Sequence, residues 1–171
     1  MKNALFALAL GMAATSASAQ SIGVWEFPWK NAQDSSAVYN MADHADAVFV
    51  FEGYSINCGP CNSNAVNVDA LATKYKDEPR VQVLDMGLDA NDSDFTRWIS
   101  KHKPNHPVVK DVNRRVYNAL KTDNLIPQVF VVNCKGEKIF GNIGVWTASV
   151  KAALDRAIAE GLATDCTPTE K

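Results

Sequence analysis

The stretch Tyr54–Asn64 reads YSINCGPCNSN and sets Cys58 and Cys61 two residues apart around Gly59-Pro60. Immediately upstream, residues 47–52 read AVFVFE, a continuous apolar run with the signature of a strand buried on both faces. Downstream, Val68, Leu71, Ala72 and Tyr75 recur at helical spacing. The motif therefore sits where a buried strand turns into a helix. A thiol at a helix N-terminus meets unpaired backbone N–H groups and the positive end of the helix dipole. Both favour the thiolate and lower its pKa from about 8.5 towards about 7 at this spacing. The thiolate is the attacking species in disulfide exchange. Cys61 lies almost one helical turn on, where it can resolve a mixed disulfide formed at Cys58. Gly59 permits close approach, and Pro60 suits a first turn, where a missing N–H does little harm.

Two other uses of such a pair are a zinc site and a structural disulfide. Tetrahedral zinc needs two further ligands. Cys134 and Cys166 stand singly, and His44, His102 and His106 complete no familiar spacing. A purely structural disulfide across two residues restrains the unfolded chain little. A peroxidatic cysteine would follow a P-x-x-x-T-x-x-C pattern, and FEGYSINC has neither the Pro nor the Thr.

Outward from the motif, strands and helices alternate. Residues 24–29 alternate as an extended arm, confined to an edge by Pro28. Val38, Met41, Ala42 and Ala45 read as a helix capped by Asp34 or Ser35. Pro79 reads as the end of the motif helix. RVQVLDMGLD, 80–89, is a second strand. Asp92 or Ser93 caps a helix with Phe95, Trp98, Ile99 and His102 on one stripe. HPVVKD is a short extended piece, and Val112, Val116, Tyr117 and Leu120 give another helix. PQVFVVN, 127–133, turns at Cys134–Glu137 and returns as KIFG, a hairpin. The last helix carries Val150, Leu154 and Ile158 and stops at Gly161. The expectation is an α/β protein with a mixed central sheet flanked by helices. Asp85, Asp89, Asp92 and Asp94 do not have EF-hand spacing and read as strand-end and cap residues. His106, between Pro104 and Pro107, reads as a loop residue without a partner.

The first 19 residues form a leader pattern: Lys2, an apolar stretch from Leu5 to Ala14, then Ala17-Ser18-Ala19. Cleavage would make Gln20 the first mature residue and leave a domain over 20–171, with an N-terminal extension at 20–34 and a tail at 162–171. The apolar stretch is too short to span a bilayer, so no membrane insertion is expected after cleavage. Export would place the four cysteines where disulfides persist, and four cysteines allow three connectivities. The formal net charge is -2, with no basic footprint for nucleic acid.

CGPC after a buried strand, followed by IPQVFVV and the KGEKIF hairpin, resembles the thioredoxin superfamily. The long segment between Cys58 and Pro127 is similar to that of the exported TlpA-like thiol–disulfide oxidoreductases, which include the reductases of cytochrome c maturation. The resemblance implies a thioredoxin-like fold with an inserted segment between the motif helix and the strand at Pro127. It implies that Cys58 is the nucleophile, Cys61 the buried resolving thiol and Pro127 a cis-proline facing the disulfide. Ile126 would pair with an incoming substrate strand, beside Asn57, Gly59 and Pro60. Glu52 matches the acidic position beneath the second cysteine. A carboxyl buried there, with a raised pKa, could take the Cys61 proton. In that fold Cys134 and Cys166 come to the pole opposite the dithiol, where a structural disulfide is expected; free thiols or a second relay are the alternatives.

The implied activity is reduction of protein disulfides by an exported, periplasmic enzyme, fed by a membrane thiol donor and needing no cofactor or metal. A disulfide oxidase or isomerase of the same fold, or a non-catalytic binding or chaperone module, are the rivals. One departure stands out. Asn57 occupies the place where thioredoxins carry Trp, and Trp25 or Trp29 are the candidates to replace that aromatic surface.

Overall fold

A computed structural model describes residues 23, 25–28 and 37–166. The leader 1–19, Gln20, Trp29, the cap candidates Asp34 and Ser35, and the end of the tail lie outside them. Five strands form the central sheet: β3 (Val48–Tyr54), β4 (Val81–Gly87), β5 (Val108–Lys110), β6 (Gln128–Val132) and β7 (Lys138–Ile143), in the order β5-β4-β3-β6-β7. The β3–β4 and β4–β5 ladders are parallel, whereas β6 and β7 run antiparallel. This is the mixed sheet expected from the alternation of elements followed by a hairpin. Every residue of β3 is buried, as its unbroken apolar run requires of a central strand.

Register divides the sheet's two faces. Val48, Val50, Val81, Val83, Val129 and Val131 face α1 (Gly59–Lys74) and α4 (Ala148–Leu162). Phe49, Phe51, Leu84, Met86 and Phe130 face α3 (Arg115–Leu120) and the ribbon of β1 (Glu26–Pro28) with β2 (Val38–Asn40). Phe51, Leu84 and Phe130 are fully buried or nearly so. Each contributes about 1.5–3 kcal/mol by leaving water. A third cluster sits at the dithiol end: Tyr54, Ile56, Cys61, Ala65, Phe95 and Trp98, roofed by α2 (Asp92–His102).

Several local readings change. Val38–Asn40 is a strand, paired with β1 through Pro28↔Val38 and Phe27↔Tyr39, and only Met41–His44 is helical, as one 3-10 turn. The Asn40 side chain accepts from the Ala42 N–H and starts that turn late. Cross-strand pairing outweighed the helical spacing of Val38, Met41, Ala42 and Ala45. Helix α1 ends at Lys74, ahead of Pro79. Asn91, not Asp92 or Ser93, is the N-cap of α2, and Asp92 and Asp94 lie in its first turn, where negative charge suits the dipole. Gly161 lies inside α4 rather than after it. Its role is close approach: a Cβ there would stand 2.7 Å from Val48 Cγ2 on β3.

Candidate active site

The C-terminal end of β3 delivers the chain to the dithiol. Asp89 holds the connecting loop, accepting from Ser55 Oγ at 2.7 Å and from the Ile56 N–H at 2.8 Å. Cys58 is the N-cap of α1 in extended conformation, and its sulfur accepts from the Cys61 N–H at 3.2 Å. That N–H is one of the orphan donors of the first turn, aimed at the Cys58 sulfur. Cys58 and Cys61 are joined as a disulfide. Cys61 is 1% exposed, whereas Asn57, Gly59 and Pro60 are exposed around the half-buried Cys58. Attack from outside is therefore open to Cys58 and closed to Cys61.

Opposite the disulfide lies the Ile126–Pro127 bond, which is cis. The Ile126 carbonyl oxygen stands 3.8 Å from Cys58 Sγ. The Gly144 N–H donates to Pro127 O at 2.9 Å and ties this loop to the end of β7.

Glu52 sits on the α1 face of β3, 2% exposed. Asn64, one turn beyond Cys61 on α1, donates to Glu52 Oε1 at 2.8 Å, and Trp146 Nε1 donates to Oε2 at 3.3 Å. Asn64 also accepts from the Trp146 N–H and donates to Gly144 O. Burial pushes the Glu52 carboxyl up to about 8, with the charge of Asp85 adding to the rise and the Asn64 and Trp146 hydrogen bonds opposing it. A carboxyl in that range is matched to a thiol as a proton acceptor at neutral pH.

Asn64 and Trp146 were missed in the sequence. Asn64 had a signal, since it falls three residues after Cys61 on the same helix. Trp146 had none; it reaches Glu52 across 94 residues of chain. Asn62 was missed too. It donates to the Ile56 and Cys58 carbonyls and accepts from Lys101 and His102, pinning α2 to the motif.

His106 and Asp85 require correction. The His106 side chain is 2% exposed and lies between Asp69 and Asp85 at 3.2 and 3.3 Å. Asp85 is buried within β4 and accepts from Trp98 Nε1 at 2.7 Å. Trp25 packs with the β1–β2 and α3 cluster and has the Arg115 guanidinium 4.4 Å over its ring. The aromatic nearest in kind to the missing Trp comes from below: Trp98 of α2, buried in the cluster that contains Cys61.

At the other pole, Cys134 and Cys166 form a second disulfide. It joins the β6–β7 turn to the chain after α4, and Cys166 Sγ lies 3.9 Å from the Asp46 carbonyl before β3. Among the described residues, no cluster of His, Cys, Asp and Glu could hold a metal ion, and no helix is long and apolar enough to cross a membrane.

The sheet order, the cis-proline loop and the dithiol at the head of α1 define a thioredoxin-like fold carrying a CxxC disulfide. No family model and no curated protein matches the chain. Solved structures do. A protein described as thiol:disulfide interchange protein DsbE from Chlorobium tepidum is 21% identical, with a TM-score of 0.69 over 85% of this chain and 97% of that one. StoA from Bacillus subtilis is 18% identical, with a TM-score of 0.61 over 78% and 96%. The exposed lipoprotein thioredoxin Etrx1 of Streptococcus pneumoniae is 16% identical, with a TM-score of 0.65 over 81% and 99%. At these identities the likeness is one of fold.

Proposed function

We propose that this chain is an exported thiol–disulfide oxidoreductase that reduces disulfides in other proteins through Cys58 and Cys61. The observation that carries the reading is the asymmetry of the pair: an accessible sulfur capping a helix, bonded to a buried one, with a buried carboxyl beside its helix. In the reduced enzyme the Cys58 thiolate attacks a substrate disulfide. A new S–S bond joins Cys58 to one substrate sulfur, and the other leaves as a thiolate with the electron pair. Cys61 then gives its proton to Glu52 and attacks Cys58 Sγ. The Cys58–Cys61 bond forms, the second substrate sulfur leaves, and the substrate has gained two electrons.

Pro127 and Ile126 form the wall against which an extended substrate segment lies, with Asn57, Gly59 and Pro60 as its exposed margin. A dithiol carrier in the membrane restores the reduced state. The leader pattern at 1–19 supports export to a periplasm, or secretion where there is no outer membrane. The domain then runs over 20–171, and Cys134–Cys166 is its structural clasp. The neighbours' descriptions as a thiol:disulfide interchange protein and an exposed lipoprotein accord with this reading.

Trapping tests it. Cys61→Ala leaves mixed disulfides on Cys58 unresolved, so client proteins from the exported fraction should accumulate on it, and none on the Cys58→Ser, Cys61→Ala protein. Recovery of no mixed disulfide by Cys61→Ala would overturn the proposal.

A further inference from the structure

Beside Glu52 stands a second buried carboxyl group that the exchange steps above do not use. Glu52 and Asp85 are register partners in the parallel β3–β4 ladder. Their side chains therefore leave the same face of the sheet, on backbones about 4.8 Å apart. They are 2% and 1% exposed. Two like charges this close and this dry cannot both form without compensation.

Their surroundings differ in kind. Among the described residues, the donors to Glu52 are neutral, Asn64 of α1 and Trp146 before α4. Asp85 Oδ2 receives Trp98 Nε1 of α2 and also lies 3.3 Å from His106 Nε2, a charge contact without hydrogen-bond alignment. His106 Nδ1 meets Asp69 of α1 at 3.2 Å and the neighbouring Asn105 Oδ1 at 3.2 Å. Burial works against a charged His106 ring, but Asp85 and Asp69 together outweigh it and raise its pKa. The other titratable groups facing Asp85 are Tyr54 of β3 and His102 of α2, with Asp89 and Lys101 behind them. Among all these, His106 is the group whose ring touches Asp85 while a second carboxylate holds its far side.

We propose that Glu52 and Asp85 act as one coupled carboxyl pair that holds a single proton in the disulfide state, with His106 as the buried counter-charge that keeps the negative charge on Asp85 and the proton on Glu52. In the mixed-disulfide state the pair is doubly ionised, and the proton is on Cys61. Repulsion from Asp85 makes the Glu52 carboxylate basic. As the Cys61–Cys58 bond forms, the Cys61 proton passes to Glu52 and the substrate thiolate departs. Asp85 and His106 are positioning residues, acting on the chemistry through Glu52. Their use in catalysis rests on the reductase reading; the shared proton is a property of the oxidised protein alone.

The test is a carboxyl-carbon NMR titration of the oxidised, full-length mature protein, on wild type, Asp85→Asn and His106→Gln. In wild type, the Glu52 carbon should titrate above neutrality, and the Asp85 carbon should respond at the same midpoint. Asp85→Asn removes the like charge and should lower the Glu52 midpoint by about one pH unit, about tenfold in proton affinity. His106→Gln removes the counter-charge and should raise it. Independent titration of the two carbons in wild type overturns the pair and decides the matter if either variant fails to fold. Shifts absent, or in the same direction in both variants, also overturn it. A coupled titration in a protein without exchange activity would leave the pair standing and remove the reductase reading. Full activity with uncoupled titrations would do the reverse.

Discussion

The molecule carries the same covalent bond at its two poles and surrounds it in opposite ways. At the head of α1, Cys58–Cys61 spans a separation of 3 residues, with one sulfur accessible. It is placed at the N-terminus of a helix whose Asn64 donates to the buried Glu52. At the far end, Cys134–Cys166 spans a separation of 32 and ties a hairpin turn to the chain after the last helix. Among the described residues, no helix begins at either of its cysteines. On the loop-entropy relation the long closure stabilises by about 3–4 kcal/mol and the short one by about 1–2. On the proposed function, these surroundings set each disulfide's use: the first to be broken and remade, the second to hold.

The sharpest way to break the comparison is to exchange the losses. Cys58→Ser should reduce disulfide exchange, measured as insulin reduction, to the uncatalysed background. The Cys134→Ser, Cys166→Ser protein should retain exchange near the wild-type rate at a temperature where it is folded. A lost activity in the second protein would make both bonds catalytic.

Next in size is Glu52→Gln, which should slow resolution of the mixed disulfide by about 10²–10⁴-fold, read by single-turnover kinetics. Its stability effect has a definite sign. The folded Glu52 pKa is about 8, against an ordinary value of 4.5, because of burial first and Asp85 second. The native state therefore keeps a proton that the unfolded chain releases. This contribution is full below pH 4.5 and declines as the pH rises towards 8, at no more than about 1.4 kcal/mol per pH unit. Denaturant melts across that window should slope downward in wild type and flatten in Glu52→Gln.

The far pole has its own pair of tests. Removing Cys134–Cys166 should lower unfolding free energy by about 3–4 kcal/mol. Gly161→Ala should cost about 1–3 kcal/mol, because its new Cβ meets Val48 Cγ2 at 2.7 Å. The helix gains nothing comparable in return, and neither change should alter the exchange chemistry. Equal stability of Gly161→Ala and wild type would mean that the α4–β3 contact yields.

Legibility in the sequence followed the range of the signal. The buried run of β3, the CGPC junction and the β6–β7 hairpin are local patterns, and they read correctly. So did the burial of Glu52, since AVFVF leaves a following carboxyl little access to water. Pro127 in cis and the Cys134–Cys166 pairing were readable only through a resemblance, because neither leaves a local trace. The Asp85–His106–Asp69 line was illegible. It draws a strand, a loop and a helix together, and each residue alone has an ordinary surface explanation. Val38–Asn40 misled because its helical spacing was real, and pairing with β1 decided the outcome. Asn57 remains exposed beside Cys58, and the Trp near the motif is Trp98, buried in the cluster that holds Cys61.

The central claim is that one disulfide exchanges and the other does not. Equilibrating the mature protein across graded thiol–disulfide buffers, then alkylating and weighing the two cysteine-pair peptides, measures both at once. The account predicts that Cys58–Cys61 becomes half reduced near about -270 mV, while Cys134–Cys166 stays oxidised down to about -300 mV. Reduction of both bonds together, or of Cys134–Cys166 first, would contradict it.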